Sequence, residues 1–172
     1  MPAPTKISLG NAKSDKLFYF VANVVVYRES DARCLILKRH EREIVHPGKY
    51  AVPGGKLEWK DLPFEKADGK NESVVYFENM IEKLLKREVM EEAGVEIEEK
   101  LHYIGSMVFV RPDEVPVTLM RFAAKYTGGE VKLEENAFTD FAWVNDVEVK
   151  GYDCIGNVVD EIAETIRHFG KK

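Results

Sequence analysis

Leu84-Leu85-Lys86-Arg87-Glu88-Val89-Met90-Glu91-Glu92-Ala93-Gly94-Val95 is the stretch on which the reading of this chain turns. With Ile81, the residues Leu84, Leu85, Val89 and Ala93 recur at three-and-four spacing, which predicts an amphipathic helix over about Ser73 to Ala93. Gly94 follows at the position after a helix end that favours glycine. On that helix Glu88, Glu91 and Glu92 stand at i, i+3 and i+4, so their carboxylates share one stripe. Leu84 and Leu85 lie one turn earlier on the same stripe, which puts Glu88 at the edge of the buried face. Carboxylates about 6 Å apart repel by roughly 3 kcal/mol per pair at an effective dielectric of ~20. In open solvent the repulsion falls to a few tenths of a kcal/mol. A half-buried cluster therefore needs protons or cations, and all-oxygen ligands favour hard ions such as Mg²⁺ or Mn²⁺. The plain alternative is a solvated acidic helix end.

Outward from this helix the chain reads as strands. Phe18 to Tyr27 is β-branched and aromatic and reads as a central strand, with Arg33 to Arg39 its hairpin partner across Glu29-Ser30-Asp31. Residues 40 to 49 form a polar loop, and Tyr50-Ala51-Val52 is a short strand stopped by Pro53-Gly54-Gly55. A glycine pair after a strand allows close backbone approach and can aim a carbonyl at an ion, and Glu58 adds a nearby carboxylate. Beyond Gly94, strands are expected over Leu101 to Val110, Val117 to Tyr126 and Phe141 to Val144, and a second amphipathic helix over Asn157 to Phe169. Strands, helix, strands, helix in this order predict an α/β domain with a mixed β-sheet covered by helices.

Composition narrows the function. The 172 residues fit one domain, 1–172, with residues 1–16 a polar arm. The formal charge is 25 − 30 = −5, and residues 78 to 99 alone hold eight Glu against three Lys or Arg, also −5. An acidic chain argues against bulk nucleic acid and anionic membrane as partners. No apolar run reaches the ~18 residues of a membrane span. No signal-peptide core follows Met1-Pro2-Ala3-Pro4-Thr5-Lys6. Cys34 and Cys154 form no CxxC or Cys/His pattern, which suits free thiols in a reducing cytoplasm. His40, His46, His102 and His168 have no metal-ligand spacing.

Gly54-Gly55-Lys56-Leu57-Glu58 followed by Arg87-Glu88-Val89-Met90-Glu91-Glu92-Ala93-Gly94-Val95 resembles the two halves of the Nudix box, G-x5-E-x7-R-E-U-x-E-E-x-G-U with U aliphatic. The second half matches at every fixed position. The run from Leu35 to Arg39 and from Pro47 to Gly55 is similar to the family's approach to the box, so the resemblance covers roughly residues 18 to 144. One departure is large. The pattern has 14 positions from its first Gly to its Arg; here 87 − 55 = 32, an insertion of 18 residues, which falls within residues 59–77. Counting forward from Gly55 gives Asp61 for the middle Glu, and counting back from Arg87 gives Asn79 beside Glu78. That position stays open, as does the insertion's role, whether it shapes substrate access or is a surface loop or hairpin.

The resemblance implies a Nudix-type α/β/α sandwich. It also implies an Mg²⁺- or Mn²⁺-dependent pyrophosphohydrolase in which water attacks a phosphorus of a nucleoside diphosphate linked to another group. Carried over residue by residue, Glu88, Glu91, Glu92 and the Gly54 carbonyl would ligate metal, and Arg87 would hold Glu88. Glu88 or a loop carboxylate, Glu134 or Glu135, would act as base. Arg39 and Lys56 are candidates to touch phosphate, and Phe18, Tyr19 or Phe20 could stack on a base. The substrate stays open among nucleoside triphosphates, oxidised purines included, ADP-ribose and related nucleotides. Pro112 lies one residue out of register for the ADP-ribose subgroup, while His40 and Ile44 depart from the coenzyme A subgroup. Homodimers are common in the ADP-ribose subgroup, so a homodimer is expected only by analogy. The alternative is a catalytically weak nucleotide-binding module on the same fold.

Overall fold

Alternate residues of the first strand serve two different cores. In β1 (Tyr19–Arg28), Ala22, Val24 and Val26 face one side of the sheet while Val25 and Tyr27 face the other. The antiparallel partner β2 (Arg33–Arg39) splits the same way, Leu35 and Leu37 against Cys34 and Ile36. Burial on both faces explains why these strands read as unbroken apolar runs rather than alternating ones. The computed structural model describes residues 2–170. Met1, Lys171 and Lys172, which the expected 1–172 domain and 1–16 arm include, lie outside the described residues.

After two paired positions β1 and β2 diverge, and the chain returns to fill the fork. β3 (Tyr50–Ala51) pairs with β2, and β4 (Gly54–Lys56) pairs with β1 at Val21↔Lys56, Ala22↔Gly55 and Asn23↔Gly54. Pro53 bridges the two, its carbonyl accepting from the Val24 amide at 2.9 Å. A small hairpin follows, β5 (Gly69–Asn71) with β6 (Val74–Tyr76), then α1 (Met80–Ala93). β7 (Glu96–Ile97), β8 (His102–Val110), β9 (Pro116–Gly128), β10 (Phe138–Val144) and α2 (Val158–Phe169) complete the strands and α-helices among the described residues. β9 runs parallel to β1 from Tyr19↔Val117 to Tyr27↔Lys125, and the other pairings in the large sheet are antiparallel. The order β10-β2-β1-β9-β7, with β8 also on β9, is the expected mixed sheet. α1 lays Leu84, Leu85, Val89 and Ala93 on one face, and α2 lays Val158 and Ile162 on the other, which makes an α/β/α sandwich. No helix among the described residues is long and apolar enough to cross a membrane.

Three expectations shift. The first helix starts at Met80, not Ser73, because Val74–Tyr76 is β-branched and aromatic and pairs back on Gly69–Asn71 across a turn with Glu72 at φ 52°. Phe77 then leaves the hairpin and meets Phe64 edge-on, ring centroids 5.7 Å apart. The last strand starts at Phe138, earlier than Phe141, because pairing with β2 extends to Arg39 through an irregularity. Within the described part of the arm the regular element is one 3-10 turn, Ser14–Lys16. Gly94 ends α1 as expected, at φ 67°, its amide donating to the Met90 carbonyl at 3.0 Å.

This packing makes Leu85, fully buried under α1, a sensitive position. Leu85→Ala is expected to lower unfolding free energy by about 2–5 kcal/mol in urea titration. Ile44→Ala, at a side chain 97% exposed, should change it by less than about 0.5 kcal/mol.

Candidate active site

The fork places a glycine pair under the carboxylate edge of α1. A Cβ at Gly55 would lie 2.5 Å from the Glu88 carboxyl carbon, and one at Gly54 2.5 Å from the Ala22 carbonyl oxygen. Any side chain at either position would have to displace Glu88 or the backbone of β1. The bare backbone lets the Gly54 amide donate to Glu92 Oε2 at 3.1 Å. Gly54 therefore faces Glu92 through its N–H, whereas its carbonyl was the expected contact with a metal.

Arg87 holds the other side of the cluster. One guanidinium nitrogen donates to Glu88 Oε1 at 2.8 Å and the other to Asp61 Oδ1 at 2.6 Å. The second oxygen of Asp61 accepts from the Glu58 amide at 2.8 Å. Burial works to raise the Asp61 pKa, but Arg87 and the Glu58 amide outweigh it and keep the carboxyl below its ordinary value. Of the three residues the count offered, Asp61 is the one in contact with Arg87. The Glu78 amide donates to Asp68, and Asn79 sits in the left-handed region just before α1. The insertion is therefore tied to α1 at its midpoint, by Asp61 to Arg87, and near its start, by Asp68 to Lys83.

Glu92 is the most perturbed acid here. Burial pushes its pKa up to about 8, and the charges of Glu88 and Glu134 add to the rise against the Gly54 amide and Arg39. Glu91 is more open, 59% exposed, with only a 3.9 Å approach to Arg87. The three carboxylates share the expected stripe without converging: among the described residues no three His, Cys, Asp or Glu side chains form a ready-made metal cage. The donor set still fits a hard divalent ion, because it is all oxygen and includes an acid whose proton a cation would replace.

The remaining expected residues divide. The Glu134 amide donates to the Glu92 carbonyl at 3.1 Å, which brings that turn against the end of α1. Glu135 is exposed in the same turn. Arg39 is engaged with the 40–49 loop, donating to the Val45 carbonyl at 2.9 Å and to Glu43 at 2.5 Å. Lys56 is exposed at the end of β4 and paired in register with Val21. His102 of β8 and His168 of α2, unrelated in sequence, meet at 3.0 Å. One polar group was not anticipated at all. Asn23 and Arg121, paired between β1 and β9, meet Glu161 of α2 at 3.3 and 3.7 Å on the sheet face opposite α1. Its sequence signal was the lone Asn in the apolar run of β1.

Comparison with known proteins agrees with this fold. No curated protein matches the chain by sequence. By structure it is similar to the MutT protein of Methanosarcina mazei Go1, at TM-score 0.61 and 22% identity, over 93% of this chain and 100% of that one. It is also similar to the NUDIX domain of Shewanella oneidensis NrtR complexed with ADP ribose, at 0.66 and 14%, over 94% and 96%. A C. elegans Ap4A hydrolase binary complex matches at 0.60 and 14%, over 90% and 99%. At these identities the likeness is one of fold. A family profile described as NUDIX domain matches residues 19–153, more than half of the chain, and with the glycine pair, Arg87 and the Glu88–Glu92 cluster in place, the chain belongs to the NUDIX family.

Proposed function

We propose that this NUDIX protein is a metal-dependent pyrophosphohydrolase, cleaving a nucleoside diphosphate linked to another moiety by attack of water on phosphorus. The observation that carries the reading is the Glu88–Glu92 pair held between a glycine backbone and Arg87, with Glu92 raised to about 8. Glu92, buried and set against the charges of Glu88 and Glu134, is favourable there only when a proton or cation neutralises it, and the substrate brings further negative charge. Bound Mg²⁺ or Mn²⁺ would polarise the phosphoryl oxygens and lower the pKa of the attacking water.

Glu88, Glu91, Glu92 and Gly54 are the residues that would hold the ion, with Glu91 free to swing in. Arg87 orients Glu88 by a charge-assisted hydrogen bond, and Asp61 fixes Arg87 in turn. Glu88, or a carboxylate of the Glu134–Glu135 turn, would take the proton from water. Lys56 can meet phosphate without losing an ion pair found among the described residues. Arg39 would first have to leave Glu43, so its charge acts on Glu92 from a distance. The substrates named for the similar proteins, ADP ribose and Ap4A, belong in the test panel with nucleoside triphosphates. The lack of a ready-made cage keeps a second reading in view, a module that binds nucleotide with little turnover.

Hydrolysis of this panel with Mg²⁺ or Mn²⁺ should release a nucleoside monophosphate, and Glu92→Gln should lower the rate by a hundredfold or more, on the order of other catalytic-centre losses, without unfolding. Equal, negligible turnover by wild type and variant across the panel would remove the enzymatic reading, and calorimetric binding without product would favour the module. Asp61→Asn should weaken Mn²⁺ binding in calorimetry by about 10- to 100-fold, and Asp61→Glu should recover part of it.

A pH profile follows from Glu92. Its folded pKa of about 8 lies above the ordinary 4.5, so between these values the folded protein keeps a proton that the unfolded chain releases. Metal-free stability should therefore fall as pH rises through that window, by up to ~1.4 kcal/mol per pH unit for one such group. Glu161, pushed by burial to about 7, adds a slope of the same sign. Glu92→Gln should flatten the profile in part, and the rise in melting temperature caused by Mn²⁺ should grow with pH over the same range in wild type. A flat wild-type profile would contradict the assignment.

A further inference from the structure

Where α2 ends against β8, two histidines 66 positions apart in sequence face one another. His102 opens β8 and His168 lies in the last turn of α2. Nδ1 of the first stands 3.0 Å from Nε2 of the second. Both rings are held in place. Phe169 meets the His102 ring edge-on at 5.0 Å and the His168 ring edge-on at 4.9 Å. Phe169 is itself stacked on Tyr27 of β1 at 5.0 Å. The His102 side chain is 21% exposed, whereas His168 is exposed. The pair is thus anchored on its protein side and open to water on the other.

The second nitrogen of His102 has a carboxylate behind it. Glu98 Oε1 approaches His102 Nε2 at 3.6 Å, and the same oxygen accepts from the Lys125 amide at 2.8 Å, which fixes its position. A carboxylate beside Nε2 favours the ring proton on that nitrogen and leaves the Nδ1 lone pair facing His168. Burial lowers the His102 pKa. Glu98 opposes the fall, and the charges of His168, Lys100 and Lys125 add to it. The ring is therefore neutral near pH 7, the form in which imidazole binds metals. The neighbouring cations are largely spent elsewhere. Lys125 pairs with Glu29 at 3.0 Å and lies over the Phe169 ring at 5.7 Å, and Arg167 pairs with Glu164. The last turn of a helix, with its outward carbonyls, also favours a cation.

We propose that His102 Nδ1 and His168 Nε2 form a two-imidazole site for a divalent ion of the zinc class, which pins the end of α2 to β8. The site is distinct from the carboxylates of α1 and does not rest on the pyrophosphohydrolase reading. Bonds of about 2.0–2.1 Å at a tetrahedral angle set two nitrogens about 3.3 Å apart, so a few tenths of an ångström of ring movement admits the ion. His168 then carries its proton on Nδ1, and its Nε2 lone pair turns from the hydrogen bond to the metal. Imidazole donors suit Zn²⁺, Ni²⁺ and Cu²⁺ and not the hard ions expected at the carboxylates. Among the described residues no third His, Cys, Asp or Glu joins the pair, so water completes the shell from the open side. Glu98 is a positioning residue that acts through His102. The competing reading is a hydrogen-bonded pair that binds no metal.

The test is titration of the full chain with Zn²⁺ in excess Mg²⁺, which fills all-oxygen sites without competing for imidazole. Calorimetry gives the affinity, and the imidazole NMR signals give the place. Wild type should bind one Zn²⁺ that moves the His102 and His168 ring signals together and raises the melting temperature. His102→Gln and His168→Gln should each remove this binding. Glu98→Gln, which keeps the oxygen that accepts from Lys125, should weaken it about tenfold or more. Cys154→Ser should leave it unchanged. The site is overturned if wild type binds no Zn²⁺, if binding survives either histidine substitution, or if the shifts centre on other residues. Loss of binding in Cys154→Ser would overturn it as well. Should His102→Gln fail to fold, the exposed His168→Gln and the wild-type ring signals decide. Neither result bears on nucleotide hydrolysis, so the two readings stand or fall separately.

Discussion

Everything at the site depends on how closely α1 can approach the backbone of β4. Glu88 and Glu92 reach that backbone because Gly54 and Gly55 have no side chains, and the space a Cβ would need is already filled by the Glu88 carboxyl and by β1. The approach is possible only in the fork where β1 and β2 part, since a strand in full register would have closed it. The buried faces of β1 and α1 hold the two elements at this separation, so the core that stabilises the domain also sets the distance between glycines and carboxylates.

Charge then decides what such a site can be used for. The acidity of residues 78 to 99 is not spread evenly in its effect. Glu88 is neutralised by Arg87, Arg87 by Asp61 as well, and Glu92 is left raised to about 8 with like charges for neighbours. A chain whose net charge turns away polyanions thereby acquires one place where a divalent cation would be taken up and a polyphosphate with it. The opposite face of the sheet is arranged inversely. There a cation, Arg121, is set against Glu161 with a donor unspent.

Much of this was legible in the residue order, and the rest was not for physical reasons. The spacing of Leu84, Leu85, Val89 and Ala93 marks the buried face of α1, and Gly94 its end, because both are local properties of a helix. The Nudix pattern read in Arg87 to Val95 agrees with the family match over residues 19–153. β4 and β7 are three and two residues long and exist only because a partner strand is present, so their own propensities could not announce them, whereas β3 was legible in Tyr50-Ala51-Val52. The start of α1 was missed because the hairpin of Val74–Tyr76 competes with helix through pairing to Gly69–Asn71. Asp61 could be reached by forward counting, but only its contact with Arg87 separates it from Asn79 and Glu78. Asn23 and Glu161 are 138 positions apart, and no sequence period connects them.

The central claim is that the glycine-backed carboxylates of α1 are a divalent metal site. The most direct measurement is the anomalous difference map of crystals grown with Mn²⁺. The account predicts a peak bonded to Glu88 and Glu92 oxygens at about 2.1–2.3 Å beside Gly54. A map without a peak there at saturating Mn²⁺, or with Mn²⁺ bound only at other carboxylates, would contradict it.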